Sequence, residues 1–378
     1  MSLAAAPAHI DDPVNARILA VSEDRVSGFV RRPLHAIAEA AGVPVATVAE
    51  RIAAMLEAGA IRRVRQTLLA TSLAPGALVA WRVPPKRLLD AFDFMFKEDP
   101  FSGHVVLRTT DKETPGSQYK LWTTLKVPRP YSMRRHADYL AEQTGAEAYK
   151  LLPAKKLFAL GVGHVRRENL QPGDRTDAPG RVLDTQMVDL TDREWRVLMA
   201  LKREFTPDEL TGPDEIWAPR AAEAGETLDD FCAVAQSLNE RRVVGRFSTF
   251  LEHVKQHQDG RRVTKFNALF HWRVPPGREL DAGREVGRHL CMTHAYWREG
   301  GPEFSDVNVM GVSHGTDKGR VLEHKAAIDA HLEEAGIPVS YTNVFWGGKS
   351  EIKPSEISPI AYRAWCTERG LDPDAMRG

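Results

Sequence analysis

Residues 80–85 read AWRVPP, and residues 271–276 read HWRVPP. The pentapeptide Trp-Arg-Val-Pro-Pro therefore occurs twice in one chain, 191 residues apart. Five matching residues can arise by chance, so the test is whether the flanking sequence repeats as well. It repeats on both sides of the pentapeptide.

Upstream of each pentapeptide, apolar residues recur every three or four positions in two successive runs. Within residues 33–63 the runs are separated by Gly42, and the second run ends at Gly59. Residues 216–247 have the same rhythm, with an Ala-Gly-Glu turn between a short run and a longer one. This pattern is typical of a helix-turn-helix that leads into a strand.

Downstream of each pentapeptide, the sequence predicts a helix, two strands, a second helix and a further strand. The predicted segments are 86–98, 103–110, 118–127, 131–144 and 147–152 in the first half, and 278–288, 290–298, 305–314, 318–335 and 338–346 in the second. With a strand that ends at the pentapeptide, each half has the β-α-β-β-α-β order of a ferredoxin-like unit.

These repeats predict an α+β protein with an internal duplication, in which each half joins a winged helix-turn-helix unit to a ferredoxin-like unit. The chain would then be a pseudo-dimer fused into one polypeptide, and a further homodimer is left open. The expected boundaries are 1–70 and 71–165 for the first half, a linker rich in glycine, proline and charge at 166–184, 185–262 and 263–357 for the second half, and a C-terminal tail at 358–378.

The composition is that of a globular protein of 378 residues, 43% hydrophobic and 27% charged. Its 51 basic residues balance 51 acidic ones, which disfavours nucleic-acid binding because such proteins usually carry a basic surplus. The N-terminus does not resemble a signal peptide, and no apolar run approaches roughly 18 residues, so no membrane association is expected. The few, widely separated cysteines suit a reducing, cytoplasmic location; they are Cys232, Cys291 and Cys366.

Two predicted strands of the second half carry polar side chains where a half-buried strand would carry apolar ones. Residues 293–298 read THAYWR and residues 307–315 read VNVMGVSHG. Period-two alternation places on one face of the first strand His294, Tyr296 and Arg298. The same alternation aligns Asn308 with His314 on the second strand. Such rows suit a polar pocket better than a hydrophobic core.

A simple hairpin register between these two strands places His314 nearer His289 than His294. The two motif histidines would then lie roughly 15 Å apart, at ~3.3 Å per residue. This separation favours contacts with the two ends of one large ligand over a shared proton relay.

The architecture and both motifs resemble those of the siroheme decarboxylases, within the wider Lrp/AsnC-like superfamily. That family has a strand written S-H-C-Y-x-R, followed by a strand written Y-N-L-Y-x-M-V-H-G. The departures of this chain from the pattern include Ala295, where the family has cysteine, and Val307, where it has tyrosine. It keeps, at the same spacing, His294, Tyr296, Arg298, Asn308, His314 and Gly315.

The resemblance implies a carboxy-lyase that removes CO₂ from acetate side chains of siroheme, giving didecarboxysiroheme for the biosynthesis of haem or haem d1. The iron tetrapyrrole would be the substrate, with no cofactor or metal required. His294 and His314 are expected to be catalytic, because an imidazole of near-neutral pKa can supply the proton that replaces CO₂. Candidate partners for the substrate, including cations for its carboxylates, are Arg298, Tyr296, Asn308, His289, Lys353, His104, Arg108 and Lys126.

The first half matches the motifs less closely. Residues 103–108 keep His104 and Arg108, but residues 119–126 end in Lys126 where the second histidine would stand. Lysine has a reference pKa near ~10.4 and is a poor proton donor at neutral pH. The second half is therefore expected to be the catalytic one.

Other interpretations remain open at this point. His294 alone could be an ordinary strand histidine, and the stretch 291–294 (CMTH) imitates a metal half-site for which no second half follows. A DNA-binding regulator of the Lrp/AsnC type is disfavoured, since residues 44–59 carry one basic residue against two acidic ones and residues 224–240 carry no basic residue. A non-catalytic haem or porphyrin sensor would need the same pocket as the enzyme.

Overall fold

The computed structural model describes residues 6–69, 73–160, 170–182, 187–251 and 265–378. These residues form two compact units. The first unit takes residues 6–69 and 188–251, and the second takes 73–160, 170–182, 187 and 265–378. Each unit therefore contains segments from both halves of the sequence, and the division into successive domains stays a prediction.

Helices and antiparallel strands both contribute to the fold, in agreement with the predicted α+β class. The helices are α1 (Pro13–Ser22), α2 (Pro33–Ala41), α3 (Val45–Glu57), α4 (Leu88–Lys97), α5 (Met133–Thr144), α6 (Asp192–Lys202), α7 (Ala218–Ala224), α8 (Leu228–Glu240), α9 (Glu279–Arg288), α10 (Lys318–Glu334) and α11 (Pro359–Glu368). The strands are β1 (Val26–Ser27), β2 (Ile61–Leu68), β3 (Gly76–Arg82), β4 (Ser102–Thr110), β5 (Leu121–Lys126), β6 (Ala148–Pro153), β7 (Lys156–Leu160), β8 (Val244–Leu251), β9 (Phe266–Arg273), β10 (Met292–Trp297), β11 (Val309–Gly315) and β12 (Tyr341–Ile352).

The first unit packs two helix pairs, α2–α3 and α7–α8, around a small antiparallel sheet of order β1-β8-β2. The turn after α2 is made by Gly42 and the turn after α7 by Gly225, with φ of 62° and 72°. Glycine adopts this left-handed backbone without the steric cost of a Cβ atom, so each helix ends at the position that the sequence pattern predicts. The core beneath the helices includes the buried side chains of Trp217 and Phe247.

The second unit is a nine-stranded antiparallel sheet of order β6-β3-β5-β4-β12-β9-β11-β10-β7. The chain order is β3-α4-β4-β5-α5-β6 in its first part and β9-α9-β10-β11-α10-β12 in its second. Both parts thus have the predicted β-α-β-β-α-β order.

The two outermost strands of this sheet, β6 and β7, are separated along the chain only by Ala154 and Lys155. The sheet therefore curls until its two ends meet. On the opposite side, the long strand β12 pairs with β9 along its first part and with β4 along its last part. Each part of the sheet is completed by a strand that belongs to the other part.

The helices cover the outer face of the curled sheet, where the tryptophans of the pentapeptide, Trp81 and Trp272, are fully buried. The inner face carries a second, mostly apolar cluster that includes Val106, Trp122, Met310 and Phe345. Strand alternation places Arg108, two residues beyond Val106, on this inner face as well. The site described below lies there.

Residues 358–378, which the sequence predicts only as a tail, include helix α11. Its side chains Tyr362, Trp365 and Cys366 are buried against the core of β3, β4, α4 and α5. The described part of the predicted linker, residues 170–182, runs along α9, where the Gly180 amide donates to the Arg284 carbonyl. Among the residues that the structure describes, no helix is long and apolar enough to cross a membrane.

Candidate functional site

A β-bulge in strand β10 brings two neighbouring side chains together. The pairing of β10 with β11 shifts register between Met292 and His294. A bulge of this kind interrupts the strict alternation of side chains, so that Thr293 and His294 can approach each other. The Thr293 hydroxyl oxygen lies 3.2 Å from Nδ1 of His294.

The same hydroxyl reaches the second motif histidine across the strand pair. Thr293 Oγ1 lies 3.4 Å from Nδ1 of His314 and 3.0 Å from the Val312 carbonyl oxygen. The two imidazole nitrogens are thus within about 7 Å of each other, because both lie at hydrogen-bond range from one oxygen. The wide separation predicted from a simple hairpin register is wrong, because β10 and β11 pair in a different register, with Trp297 opposite Val309 and His294 opposite Val312.

Asn267 on β9 connects His314 to an arginine of the first half. Its amide nitrogen Nδ2 is 3.2 Å from Nε2 of His314, and its oxygen Oδ1 accepts from the Arg108 guanidinium at 3.2 Å. We call Arg108, Asn267, His314, Thr293 and His294 the polar row. It crosses the inner face from β4 to β10.

Glycine at position 347 allows Arg108 to reach Asn267. Strand β12 lies between β4 and β9, and Gly347 pairs with Arg108 on one side and with Asn267 on the other. A Cβ atom at Gly347 would stand 3.2 Å from the Asn267 Cβ and 3.3 Å from its carbonyl oxygen. The guanidinium therefore passes over a position that has no side chain.

Arg108 and Arg298 are buried cations on the inner face, each 8% exposed or less. The first donates to the Phe345 carbonyl at 3.1 Å, and the second donates to the Leu152 carbonyl. Burial lowers the pKa of Arg108 to about 10 and lowers the pKa of Arg298 too. Among the described residues, no carboxylate forms an ion pair with either of them. Two buried positive charges without a protein counter-charge are costly and favour an anionic ligand.

Tyr296 is placed between His294 and Arg298, as strand alternation predicts. Its ring is parallel to the His294 ring within 10°, with centroids 5.9 Å apart. The Arg298 guanidinium carbon is 4.3 Å from the centroid of the tyrosine ring. Burial raises the pKa of Tyr296, so the phenol is neutral at physiological pH. The predicted shared face of these three side chains is present.

The equivalent strand positions of the first half lack the polar row. Lys126 pairs with Gly76 on β3 just as His314 pairs with Asn267 on β9. Gly76 and Asn267 each lie five residues before the tryptophan of their pentapeptide. Gly103 occupies the place of Thr293, beside a bulge at the same point of β4. His104 is present, but its Nε2 lies 2.8 Å from the Ser350 hydroxyl. The first half therefore has glycines, Gly76 and Gly103, at the two positions whose side chains connect the second-half histidines.

Three predicted site residues lie elsewhere. Asn308 precedes β11 at the end opposite His314, where its amide bonds the Val274 backbone and Glu279. Lys353 donates to the Phe96 carbonyl next to helix α4. These two side chains brace the fold and are not part of the polar row.

His289, the third of these residues, lies between α9 and α10 on the outer face of the sheet. Its Nε2 is 2.8 Å from Nδ1 of His331, whose other nitrogen is 3.0 Å from a Glu285 oxygen. Burial, with the nearby charge of His331, lowers the pKa of His289 to about 4. The imidazole is therefore neutral and faces the helices.

Three residues of the site are not predicted from the sequence: Thr293, Asn267 and Gly347. Thr293 directly precedes the motif histidine, but period-two alternation assigns it to the other face. Asn267 lies four residues before HWRVPP, and only the pairing of β9 with β11 places it opposite His314. A Gly-Gly pair in a strand signals close approach across it, and residues 347–348 carried that signal.

Comparisons with known proteins agree with this architecture. Residues 73–159 match the family model of the AsnC-like ligand binding domain. A crystal structure of the siroheme decarboxylase NirDL superposes with a TM-score of 0.66 at 18% identity, covering 95% of this chain and 99% of that one. The structure of NirDL in complex with an iron-uroporphyrin III analogue gives a TM-score of 0.64 at 17% identity, covering 94% and 99%. No curated protein sequence matches the chain.

At this level of identity the structural likeness establishes the fold. The predicted resemblance to the siroheme decarboxylases in architecture is confirmed. Residues 73–159 match the model of the AsnC-like ligand binding domain, and the chain has the fold of the siroheme decarboxylase NirDL.

Proposed function

We propose that the protein is a siroheme decarboxylase-like enzyme, which removes CO₂ from acetate side chains of siroheme or a related tetrapyrrole. The observation that supports this most directly is a pair of buried arginines, with no carboxylate partner in the described part of the chain, on the same sheet face as two histidines joined by one hydroxyl. A tetrapyrrole with several carboxylates supplies the counter-charges that Arg108 and Arg298 lack. The NirDL structure with an iron-uroporphyrin analogue agrees with a ligand of this class.

The chemistry requires one proton for each acetate. The bond between the carboxylate carbon and the methylene carbon breaks, CO₂ leaves, and the electron pair remains on the methylene carbon, with the macrocycle as electron sink. A proton then converts this carbon to a methyl group. His294 and His314 are the proton-donating groups of the polar row, and imidazole suits this role near neutral pH.

We infer that the two halves arose by internal duplication and then diverged, with catalysis kept in the second half. The shared pentapeptide, the shared element order and the shared bulge position support this inference. Arg108 and Arg298 also donate to carbonyls at equivalent positions of opposite halves, Phe345 and Leu152. The first half then contributes binding groups, including Arg108 and His104.

Specific DNA binding is not part of this proposal. Helix α3 exposes Glu50 and Glu57, and its Arg51 is paired with Asp12 at 3.3 Å. Helix α8 begins with exposed Asp229 and Asp230 and contains no basic residue. A helix that reads DNA presents cations to phosphates, which neither of these helices does.

The decisive experiment is anaerobic single-turnover incubation with siroheme, followed by mass spectrometry of the extracted tetrapyrrole. The enzyme returns a product lighter by the mass of CO₂, whereas a sensor returns the ligand unchanged. We expect His294→Ala and His314→Ala to lower the rate by about 10²- to 10⁴-fold, the range of general acid catalysis. Siroheme binding, measured separately by absorbance, should persist in both variants.

Two further variants separate binding from chemistry. His104→Ala should affect mainly binding, and Arg298→Ala should weaken binding because a substrate carboxylate loses its charged partner. Equal loss of turnover from His104→Ala and His294→Ala would mean that both halves catalyse. Unchanged turnover in His294→Ala and His314→Ala would contradict the proposed function.

A further inference from the structure

The orientation of the Asn267 amide follows from its arginine neighbour. A guanidinium has only N–H donors, so the atom of Asn267 that faces Arg108 at 3.2 Å must be the amide oxygen. The amide nitrogen then faces His314 Nε2 at 3.2 Å and donates to it. Nε2 can accept this bond only with its lone pair, so the neutral His314 ring carries its proton on Nδ1.

The other ring nitrogen of His314 is directed at Thr293. With a proton on Nδ1, His314 donates to Thr293 Oγ1 at 3.4 Å, and the hydroxyl donates to the Val312 carbonyl at 3.0 Å. The same oxygen has a second lone pair, which lies 3.2 Å from His294 Nδ1. Each of these contacts, from Arg108 to the backbone of β11, therefore joins a donor to an acceptor.

We propose that Asn267 and Thr293 are positioning residues that fix the tautomer of His314 and join it to His294 through one hydroxyl. The inference rests on the proposed function for its catalytic meaning, but the hydrogen-bond pattern is a property of the ligand-free protein. The Thr293 oxygen faces Nδ1 of both rings with its two lone pairs while its proton is donated to the Val312 carbonyl. His294, when it carries a proton on both ring nitrogens, can then give its Nε2 proton to the substrate carbon and remain neutral, with its Nδ1 proton donated to Thr293 Oγ1.

Arg108 acts on this pair from the first half of the chain. It orients Asn267 because its guanidinium crosses β12 above Gly347, where a Cβ atom would meet the Asn267 Cβ at 3.2 Å. Gly347→Ala keeps every hydrogen-bonding side chain but obstructs this crossing. It therefore tests the orientation of Asn267 without removing any polar group.

The test is nitrogen-15 NMR of ring-labelled histidine in the ligand-free protein, at a pH where the imidazoles are neutral. His314→Ala and His294→Ala assign the two rings. In the wild type and in Thr293→Ser, which keeps the hydroxyl, His314 should show protonated Nδ1 and unprotonated Nε2. In Thr293→Val, Asn267→Leu and Gly347→Ala, the ring should shift toward the Nε2-protonated form that free imidazole side chains favour.

A rate measurement tests whether Thr293 also contributes to catalysis. Thr293→Val should slow single-turnover decarboxylation about ten-fold, the factor that corresponds to one neutral hydrogen bond, and Thr293→Ser should retain the rate. An unchanged His314 tautomer in both Thr293→Val and Asn267→Leu overturns the inference, whatever the activity. A tautomer change in a protein that does not decarboxylate siroheme would support the hydrogen-bond pattern and contradict the proposed function instead.

Discussion

His271 lies on the inner face of the curled sheet, 1% exposed, with its ring 4.8 Å from that of Phe345. Burial, together with the charge of Arg108, lowers its pKa to about 3. In the unfolded chain the same imidazole titrates near ~6.5. Between these values the unfolded chain binds a proton that the folded protein does not. The stability linked to His271 is therefore complete above ~6.5 and is lost as the pH falls toward 3.

We expect His271→Gln to reduce this sensitivity to acid. The free energy of unfolding should fall less steeply between pH 6.5 and 4.5 than in the wild type, by up to about 1.4 kcal/mol per pH unit for one proton. Urea unfolding at several pH values in this window measures the slope. His271→Leu should give the same change of slope even though its packing differs. Wild-type and variant curves that run parallel would show that the proton uptake comes from other groups.

Helix α11 is attached to the core through a buried chain of three polar side chains. Tyr362 Oη lies 2.9 Å from His136 Nδ1, and His136 Nε2 lies 3.2 Å from an Asp99 oxygen. Burial opposes ionisation of Asp99, yet the charge and hydrogen bond of His136 hold its pKa below the ordinary value. The phenol on α11 is thus the outermost partner of a buried acid–base pair.

Tyr362→Phe should therefore loosen the attachment of α11. The variant leaves His136 Nδ1 buried without its partner, which costs about 1–3 kcal/mol of unfolding free energy. Urea or thermal unfolding measures this loss, with Tyr139→Phe as the control because Tyr139 lies in the same core but outside this chain of hydrogen bonds. A loss no larger than in Tyr139→Phe would mean that the hydroxyl does not contribute to the attachment.

Sequence periodicity predicts most elements of this fold because alternating and three-to-four-residue patterns report which face of a strand or helix is buried. It does not predict the bulge between Met292 and His294, since a bulge depends on the partner strand. Helix α11 is missed for a related reason. Its apolar pattern, with Tyr362 and Trp365, is short, and the core against which these side chains are buried lies far away in the sequence. Of the site, the motif strands are predicted, but Asn267 requires knowledge of strand pairing.

The two parts of the second unit have the same order of strands and helices, but they carry different side chains at equivalent positions of the inner face. Gly76, Lys126 and Gly103 stand where the second part has Asn267, His314 and Thr293. A Cβ atom at Gly103 would stand 2.2 Å from the Ser355 hydroxyl oxygen, so a side chain at this position requires Ser355 to move. A complete second copy of the polar row therefore needs more than one substitution.

This asymmetry predicts that an imidazole at position 126 is not sufficient for catalysis. Lys126→His in a His314→Ala background should remain as inactive as His314→Ala alone, because the added ring faces Gly76 and Gly103, which carry no side chains equivalent to those of Asn267 and Thr293. Single-turnover decarboxylation measures this, with tetrapyrrole binding as the check on folding. Recovery of the rate would show that the amide and hydroxyl are dispensable.

The long strand β12, which pairs with strands of both parts of the curled sheet, also bears on how mutations can accumulate in the two parts. In an assembly of two identical polypeptides, every mutation appears at both ends of the shared sheet. Here each end of the sheet is encoded by its own stretch of the gene. Translation nevertheless always produces the two ends in equal number and already joined in one polypeptide. One end can therefore acquire an asparagine and a threonine while the other keeps its glycines, and selection acts on each end without a compromise between them.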